Sequence, residues 1–583
     1  MDSPSSFLAP NGRLAARIPG WEPRPQQIVM ADLVAAAIDQ KKHAIIEAGT
    51  GTGKSLAYLI PAVLAATADQ AHQEENQPEQ QQQTGHEDQK SEKTNEKRPR
   101  RIVIATHTIA LQEQLVKKDI PLVSAVMPHE FSAVLVKGRG NYISLRRMEL
   151  AKEREGSLFQ YDEEVAELDG LLEWSGNTRD GSLADLPTIP RSSVWDEVHS
   201  DSGNCMGRTC PRYSDCHYFA ARRRMNNAQV LVVNHALFFS DLALRRSGVS
   251  LLPEYDIVIL DEAHMVESVA SDHLGVGLSS IAAERLLSRL YNERTNRGLL
   301  VHYKLDDLRP DVIQARRIAE DFVSGIIHAV ADRGDGPWRI LEPNLVPNTL
   351  GEVLLSLGRK IRKASDRLSS DAERQDFQSL ADRLTSQAGS IRFWLEQDDP
   401  GSVWWVELAN SRRGAPRVKL ASSPIDVSGV LRRDLFSKVD TVVLTSATLS
   451  TGTQSEAFDD TFDTENEHDA KEIGFHYLCE RLGVESAIKR QLDSPFDYES
   501  QAELVLVNRL PDPSSKHEYD RAVAEMLRSF VVDQQGRTMV LFTSHQALAS
   551  ASGELAGHPA MRREIRGSGV TAGVLDSHRH PAA

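Results

Sequence analysis

The chain has 583 residues, 40% of them hydrophobic and 26% charged, with a formal charge of −16 and four cysteines. That length exceeds one hydrophobic core and implies about three or four domains, and the acidic balance excludes a protein that coats nucleic acid indiscriminately, though not one with a local basic groove. The first residues, MDSPSSFLAPNGRLAARIPGW, lack the apolar run of a secretory leader, and the apolar stretch at 59–68 is too short for a bilayer. A cytoplasmic protein with no membrane contact is expected.

Short β-branched runs recur at 43–46, 101–105, 230–233, 256–260 and 441–445, each followed by a polar or Gly-rich turn and a helical pattern. This alternation predicts an α/β fold with a parallel sheet. After the first run, IIEAGTGTGKSLAYLIPA sets Ala48, Gly49, Thr50, Gly51, Thr52, Gly53, Lys54 and Ser55 between a strand and a helix. The glycines let backbone N–H groups turn onto phosphate oxygens, Lys54 reaches the β- and γ-phosphates, and the Ser55 hydroxyl suits Mg2+. This is a nucleotide-binding P-loop with alanine in place of its first glycine, and it calls for ATP and Mg2+. Residues 69–101 are nearly devoid of apolar side chains, so a disordered surface loop is expected there.

IATHTIALQEQL (104–115) offers Thr106, His107, Thr108 and Gln112 as candidate donors to phosphates. KGRGNYIS (137–144) then leads into Arg146 and Arg147, and GNCMGRTCPRYSDCHYFAARRR carries Cys205, Cys210, Cys216 and Arg222, Arg223 and Arg224. Three cysteines crowded together in a reducing compartment read as a metal or cluster site and not as a disulfide framework. The nearby cations, with Tyr142, Tyr213, Tyr218 and Phe219, have the composition of a wedge or channel for single-stranded DNA. Cys479, in the helical pattern YLCERLG, reads as an ordinary buried cysteine.

Further on, YDIVILDEAH sets Asp261 and Glu262 at the carboxyl end of an apolar strand, where a parallel sheet presents residues to a ligand. There Asp261 would hold Mg2+ through water and Glu262 would polarise the water attacking the γ-phosphate, which makes Lys54, Asp261 and Glu262 the candidate catalytic residues. From 266 to 401 the periodicity is near 3.6 residues and predicts a mostly helical insertion. In TSATL (445–449), the Ser446 and Thr448 hydroxyls are expected to bond the two carboxylates, and 451–471 reads as an acidic insert.

In this order the segments resemble the superfamily 2 helicases of the DinG/XPD type over nearly the whole chain. Residues 261–264 spell DEAH, TSATL matches the family's motif III, and VVNHALFFSDL (232–242) is similar to its N-H segment. The resemblance implies RecA-like motor domains and an ATP-dependent DNA helicase, moving 5′→3′ on single-stranded DNA and opening duplex junctions in repair or replication. It implies adenine recognition for Arg24 and Gln27 in EPRPQQIVM, backbone contact with DNA for 104–115, and a second motor opened by SPFDY (494–498) and VLFTSH (540–545). In the family's cluster-binding insertion the last three cysteines are spaced as here, and the first follows a KGR-x-NY-x segment; that place is Ser144. Three readings are open: a [4Fe–4S] cluster on three cysteines with Ser144 as an oxygen ligand or with an open iron, zinc with a histidine such as His217, or a weak or empty site in an insertion held by packing.

The expected layout is a first motor over 1–136, 226–265 and 421–470, a cysteine-containing Fe–S-type insertion over 137–225, a helical arch-like insertion over 266–420, and a second, incomplete motor over 471–583. The family's Q-x-x-G-R-x-x-R stretch is not found, and Arg562, Arg563 and Arg566 lack its pattern. The alternative function is therefore a catalytically impaired helicase relic that binds ATP and nucleic acid.

Overall fold

The computed structural model describes residues 3–75, 100–246, 248–334, 336–409, 417–451, 474–533 and 538–556. Most of the 69–101 and 451–471 segments, and Arg562, Arg563 and Arg566, lie outside the described residues. The helix that opens at Lys54 runs on to Glu75, past the point where the loop was expected to begin. The chain divides into two units, Met1–Pro495 and Phe496–Ala583.

In the first unit the opening strands are β1 (His43–Ala48), β2 (Ile102–Thr106), β3 (Ala133–Leu135), β4 (Val230–Asn234) and β5 (Ile257–Asp261). Four more, β6 (Val276–Ser279), β7 (Trp338–Arg339), β8 (Ser402–Ala409) and β9 (Arg417–Pro424), precede β10 (Thr441–Ser446) and β11 (Ala487–Leu492). Seven of them form one sheet in the order β11-β1-β10-β5-β2-β4-β3, with every neighbouring pair parallel. Successive side chains leave a strand on opposite faces. Ile46, Ile104, Val232 and Ile259 therefore enter one core, and Ile45, Val103, Val233 and Leu260 enter the other. A sheet covered on both faces needs continuous apolar runs, which is how these strands read in the sequence. Helices α1 (Pro25–Asp39) and α2 (Lys54–Glu75) contribute Met30, Val34, Leu59 and Val63 to the first of these cores.

The segment after β5 is mostly helical, as expected, but it also carries strands that the periodicity did not announce. There β6, β9, β8 and β7 form an antiparallel sheet beside the helices. The Trp394 indole N–H seats one helix on that sheet by donating to the Ala421 carbonyl at 2.9 Å. The sheet joins residues near 276 to residues near 420, so no local run announces it.

The boundary expected at 471 is also corrected. β11 pairs in register with β1, Ala44 opposite Ile488, so residues up to Leu492 belong to the first sheet. In the second unit, helices Tyr498–Gln501, Lys516–Asp533 and His545–Ala556 are present. No strand occurs among its described residues. LVLV (504–507) and MVLF (539–542) have strand-like composition, yet Leu504 and Met539 are more than four-fifths exposed. An isolated extended run gains too little burial to hold itself.

Residues 137–225 form a small body around Ile143, Met148, Leu168, Val194 and Trp195. Helix α3 (Leu145–Glu153) enters it, and α4 (Ser280–Leu290) and α5 (Asp371–Glu396) of the helical segment pack beside it. Several polar contacts join the two bodies, and the most buried of them centres on Asp376 of α5. Its carboxylate accepts from Arg154 Nη1 at 2.5 Å, Asn204 Nδ2 at 2.7 Å and Arg289 Nη2 at 3.2 Å. Burial alone would raise this acid, but the Arg289 and Arg154 guanidiniums hold it well below the usual carboxylate range.

Candidate functional site

The sheet order sets three strand ends side by side: β1 at Ala48, β10 at Ser446 and β5 at Asp261, with Glu47 opposite Ser446 and Thr445 opposite Asp261. The P-loop, TSATL and the DEAH segment therefore share one edge of the parallel sheet.

Gly51 and Gly53 have φ of 85° and 81°, a left-handed backbone that glycine adopts without strain. A Cβ at Gly53 would also lie 2.2 Å from Gln27 Nε2. Gln27 Nε2 donates to the Gly53 carbonyl at 2.9 Å, the Arg24 guanidinium donates to the Gly51 carbonyl, and Thr52 Oγ1 donates to the Gly49 carbonyl at 2.8 Å. Arg24 and Gln27 thus brace the P-loop from α1 and the residue before it. Lys54 Nζ donates to the Ala48 carbonyl at 3.1 Å.

Across the edge, Asp261 is 5% exposed. Its acid is pushed up to about 6 by burial and then by the neighbouring Glu262, against Lys54 and a hydrogen bond from Tyr58. Glu262 sits at φ 55°, a left-handed conformation that costs a non-glycine residue roughly 1–3 kcal/mol and marks a site held in place by its surroundings. Ser446 Oγ donates to Glu262 Oε2 at 3.3 Å and lies 2.7 Å from His264 Nδ1. Of the expected partnership with the two carboxylates, Ser446 bonds Glu262 and not Asp261; Thr448 is exposed and shows no hydrogen bond to either.

Two residues of this site escaped the sequence reading. Tyr58, the one polar side chain of the apolar run LAYLIPA (56–62), reaches Asp261. Glu47, the residue before the P-loop, accepts from Leu449 N and Ser450 N at 2.6 Å each and from Gln491 Nε2 at 2.8 Å. The tyrosine's place three residues after Ser55 is a readable signal; the partners of Glu47 lie hundreds of residues away and leave none.

In the 104–115 segment Thr106 and Gln112 are buried, so only His107 and Thr108 of the four candidate donors face solvent. Arg146 and Arg147, expected to face DNA, are buried as well. Arg146 Nη2 donates to the Asn204 backbone and side-chain oxygens at 2.5 Å, and Arg147 donates to the His199 and Asp196 carbonyls. Tyr142 is buried, and Tyr213, Tyr218 and Phe219 pack on one another with ring centroids 4.8–5.7 Å apart. Of the basic run, Arg222 donates to the Leu251 carbonyl, whereas Arg223 and Arg224 are exposed.

Ser144, Cys205, Cys210 and Cys216 line one small cavity of about 30 Å³. The four places the resemblance points to do converge. The Ser144 hydroxyl caps α3 by accepting from Arg147 N at 3.5 Å, and Cys205 Sγ accepts from Gly207 N at 3.4 Å. His217 packs against Gly181 and does not line this cavity, which removes it as the fourth zinc ligand. Among the described residues no three His, Cys, Asp or Glu side chains are placed to hold a metal ion. Three thiols and a capping hydroxyl do not fit a cluster that four thiolates hold. Cys479 is half-buried beside the second core of the sheet, and burial raises its thiol. A cavity of about 730 Å³, lined by Asp196, Arg285, Arg289 and Arg383 among others, shares no residue with the nucleotide edge.

Two family models match, a DEAD/DEAH box helicase over residues 25–146 and DEAD_2 over 204–282. The ATP-dependent DNA helicase YoaA of Escherichia coli is 30% identical over 542 residues, 92% of this chain and 74% of the relative. The chain belongs to the DinG/YoaA family of ATP-dependent DNA helicases. Within that family, YoaA of Haemophilus influenzae is 27% identical over 93% of this chain and 74% of its own length. The ATP-dependent DNA helicase DinG of Photobacterium profundum is 26% identical over 91% of this chain and 75% of its own. No helix among the described residues is long and apolar enough to cross a membrane.

Proposed function

We propose that this chain hydrolyses ATP at Lys54, Asp261 and Glu262 and couples the hydrolysis to 5′→3′ movement along single-stranded DNA and to duplex opening at junctions, in DNA repair or replication. The observation that carries this reading is the adjacency of β1, β10 and β5, which brings the P-loop, Ser446 and the DEAH carboxylates to one sheet edge.

In this reading the N–H groups of the loop from Gly49 to Gly53 cradle the phosphates, and Lys54 turns from the Ala48 carbonyl to the β- and γ-phosphate oxygens. Ser55 and Asp261 hold Mg2+, which when bound neutralises charge on the phosphates. Glu262 orients the attacking water and takes its proton. Ser446, bonded to both Glu262 and His264, feels the loss of the γ-phosphate and passes it to the loop that Glu47 anchors. Arg24 and Gln27, which grip the carbonyls of Gly51 and Gly53, set the loop's shape and flank the base. His107, Thr108, Arg223 and Arg224 are the DNA-facing residues. The first motor comprises residues up to 136, 226–265 and 421–495, and the second begins at Phe496.

Duplexes carrying a 5′ or a 3′ single-stranded tail test the direction. Strand separation of the 5′-tailed substrate alone is expected. Separation of the 3′-tailed one overturns the polarity, and movement on neither overturns the motor reading.

A further inference from the structure

β11 is the last strand before the chain leaves the first unit at Pro495. Six consecutive residue pairs, from His43 opposite Ala487 to Ala48 opposite Leu492, already fix it to β1. The Gln491 side chain is exposed, so neither the core nor the strand pairing requires it to keep a partner. It nevertheless reaches across to β1. Its Nε2 donates to Glu47 Oε1 at 2.8 Å and to Ser450 Oγ at 3.2 Å.

Glu47 joins this contact to the nucleotide edge. Register sets it between Gln491 on β11 and Ser446 on β10. Its other oxygen, Oε2, accepts from Leu449 N and Ser450 N at 2.6 Å each. Those residues end the TSATL loop, whose Ser446 bonds Glu262 and His264. Hydrogen bonds and one short loop thus run from the DEAH segment to β11. A second strap lies beside them. Gln26 Nε2 donates to the Ser494 carbonyl at 3.4 Å, next to the Gln27 that grips Gly53. A Cβ on Gly49 would stand 3.8 Å from Ser494 Cα, so residues 491–494 run close along the P-loop.

We propose that Gln491 is a positioning residue: through Glu47 it ties the segment leaving β11 to the P-loop strand and the TSATL loop, so that this segment, the route into the second unit, answers to bound nucleotide. The proposal deepens the reading above and rests on ATP binding at the P-loop. Gln491 acts through Glu47 and Ser450 and has no part in the chemistry. A side chain that merely covered the sheet edge could be exchanged for any other of its length, whereas a donor to a carboxylate could not.

The test is amide exchange of the full chain, read by mass spectrometry with and without a non-hydrolysable ATP analogue and Mg2+. In the wild type the analogue should slow exchange over 491–496 roughly fivefold to tenfold, the weight of about one hydrogen bond. Gln491→Met keeps the length and removes the donor, so this response should fall below about twofold, while affinity for the analogue and exchange in β1 stay as they are. Gln491→Lys returns a donor to Glu47 and should return the response; a covering role predicts that Met and Lys behave alike. Glu47→Ala should abolish the same response, and Gln491→Met added to it should cost nothing further, because both changes break one linkage. A wild-type chain that binds the analogue without a response over 491–496, a Gln491→Met chain with the full response, or a Lys variant that matches Met overturns the proposal. A wild-type chain that fails to bind the analogue instead overturns the nucleotide reading beneath it.

Discussion

Replacing Asp376 with alanine should loosen the 137–225 insertion from the helical segment. The carboxylate accepts from Arg154 at 2.5 Å, Asn204 at 2.7 Å and Arg289 at 3.2 Å. Arg289 retains Glu197 at 3.0 Å. Arg154 does not have that recourse: its side chain is 3% exposed, and its Nε and Nη2 already find no partner. Removing one member of a buried ion pair leaves the other charge stranded, at a cost of about 3–5 kcal/mol. If opening is local and faster to close than to exchange, that cost becomes a roughly 10²- to 10⁴-fold rise in amide exchange across α3 and α5. Exchange resolved by mass spectrometry reads it directly. The double change Asp376→Ala with Arg154→Met removes both charges and should recover most of the protection. Chelator treatment of the wild type should change exchange in these helices by less than about twofold, because protein groups and not a metal join the two bodies. Protection that survives Asp376→Ala but vanishes with chelator would refute the reasoning.

Two other outcomes follow from the same structure. His199 and His235 are each held down at about 4, chiefly by burial, with Arg147 and His107 respectively adding repulsion. The unfolded chain takes up protons near 6.5 while the folded one does not, so stability is full above that value and falls as pH drops towards 4, by ~3 kcal/mol for each ring. A denaturant midpoint that declines between pH 7 and pH 5 fits; a flat profile does not. Glu47→Ala removes the acceptor of Leu449 N and Ser450 N. It should leave nucleotide binding in place yet cut DNA stimulation of ATP turnover roughly fivefold to tenfold, whereas equal stimulation in variant and wild type argues against that coupling.

What the sequence disclosed was local. The P-loop, Asp261 with Glu262, and Ser446 each lie at the end of an apolar run, and the strand-turn-helix grammar places such residues at one edge of a parallel sheet without further information. What it concealed depends on partners far along the chain. Arg146 and Arg147 look like surface cations because burial of a guanidinium is decided by acceptors such as Asn204 and His199, which no local pattern reveals. The antiparallel sheet was hidden in the same way, since β6 meets β9 across the whole helical segment. β11 was misassigned because its pairing with β1 spans most of the unit. At the thiol cavity the spacing of Cys205, Cys210 and Cys216 with Ser144 correctly named residues that converge, but spacing could not say that the serine is spent as a helix cap.

The central claim is that the P-loop and the DEAH carboxylates form a working ATPase answering to DNA. Steady-state ATP hydrolysis by the full chain, with and without single-stranded DNA, tests it most directly beside Lys54→Ala. The account predicts turnover that rises with DNA and disappears in the variant. Tight binding of ATP and DNA with no turnover, or turnover that Lys54→Ala leaves intact, would contradict it.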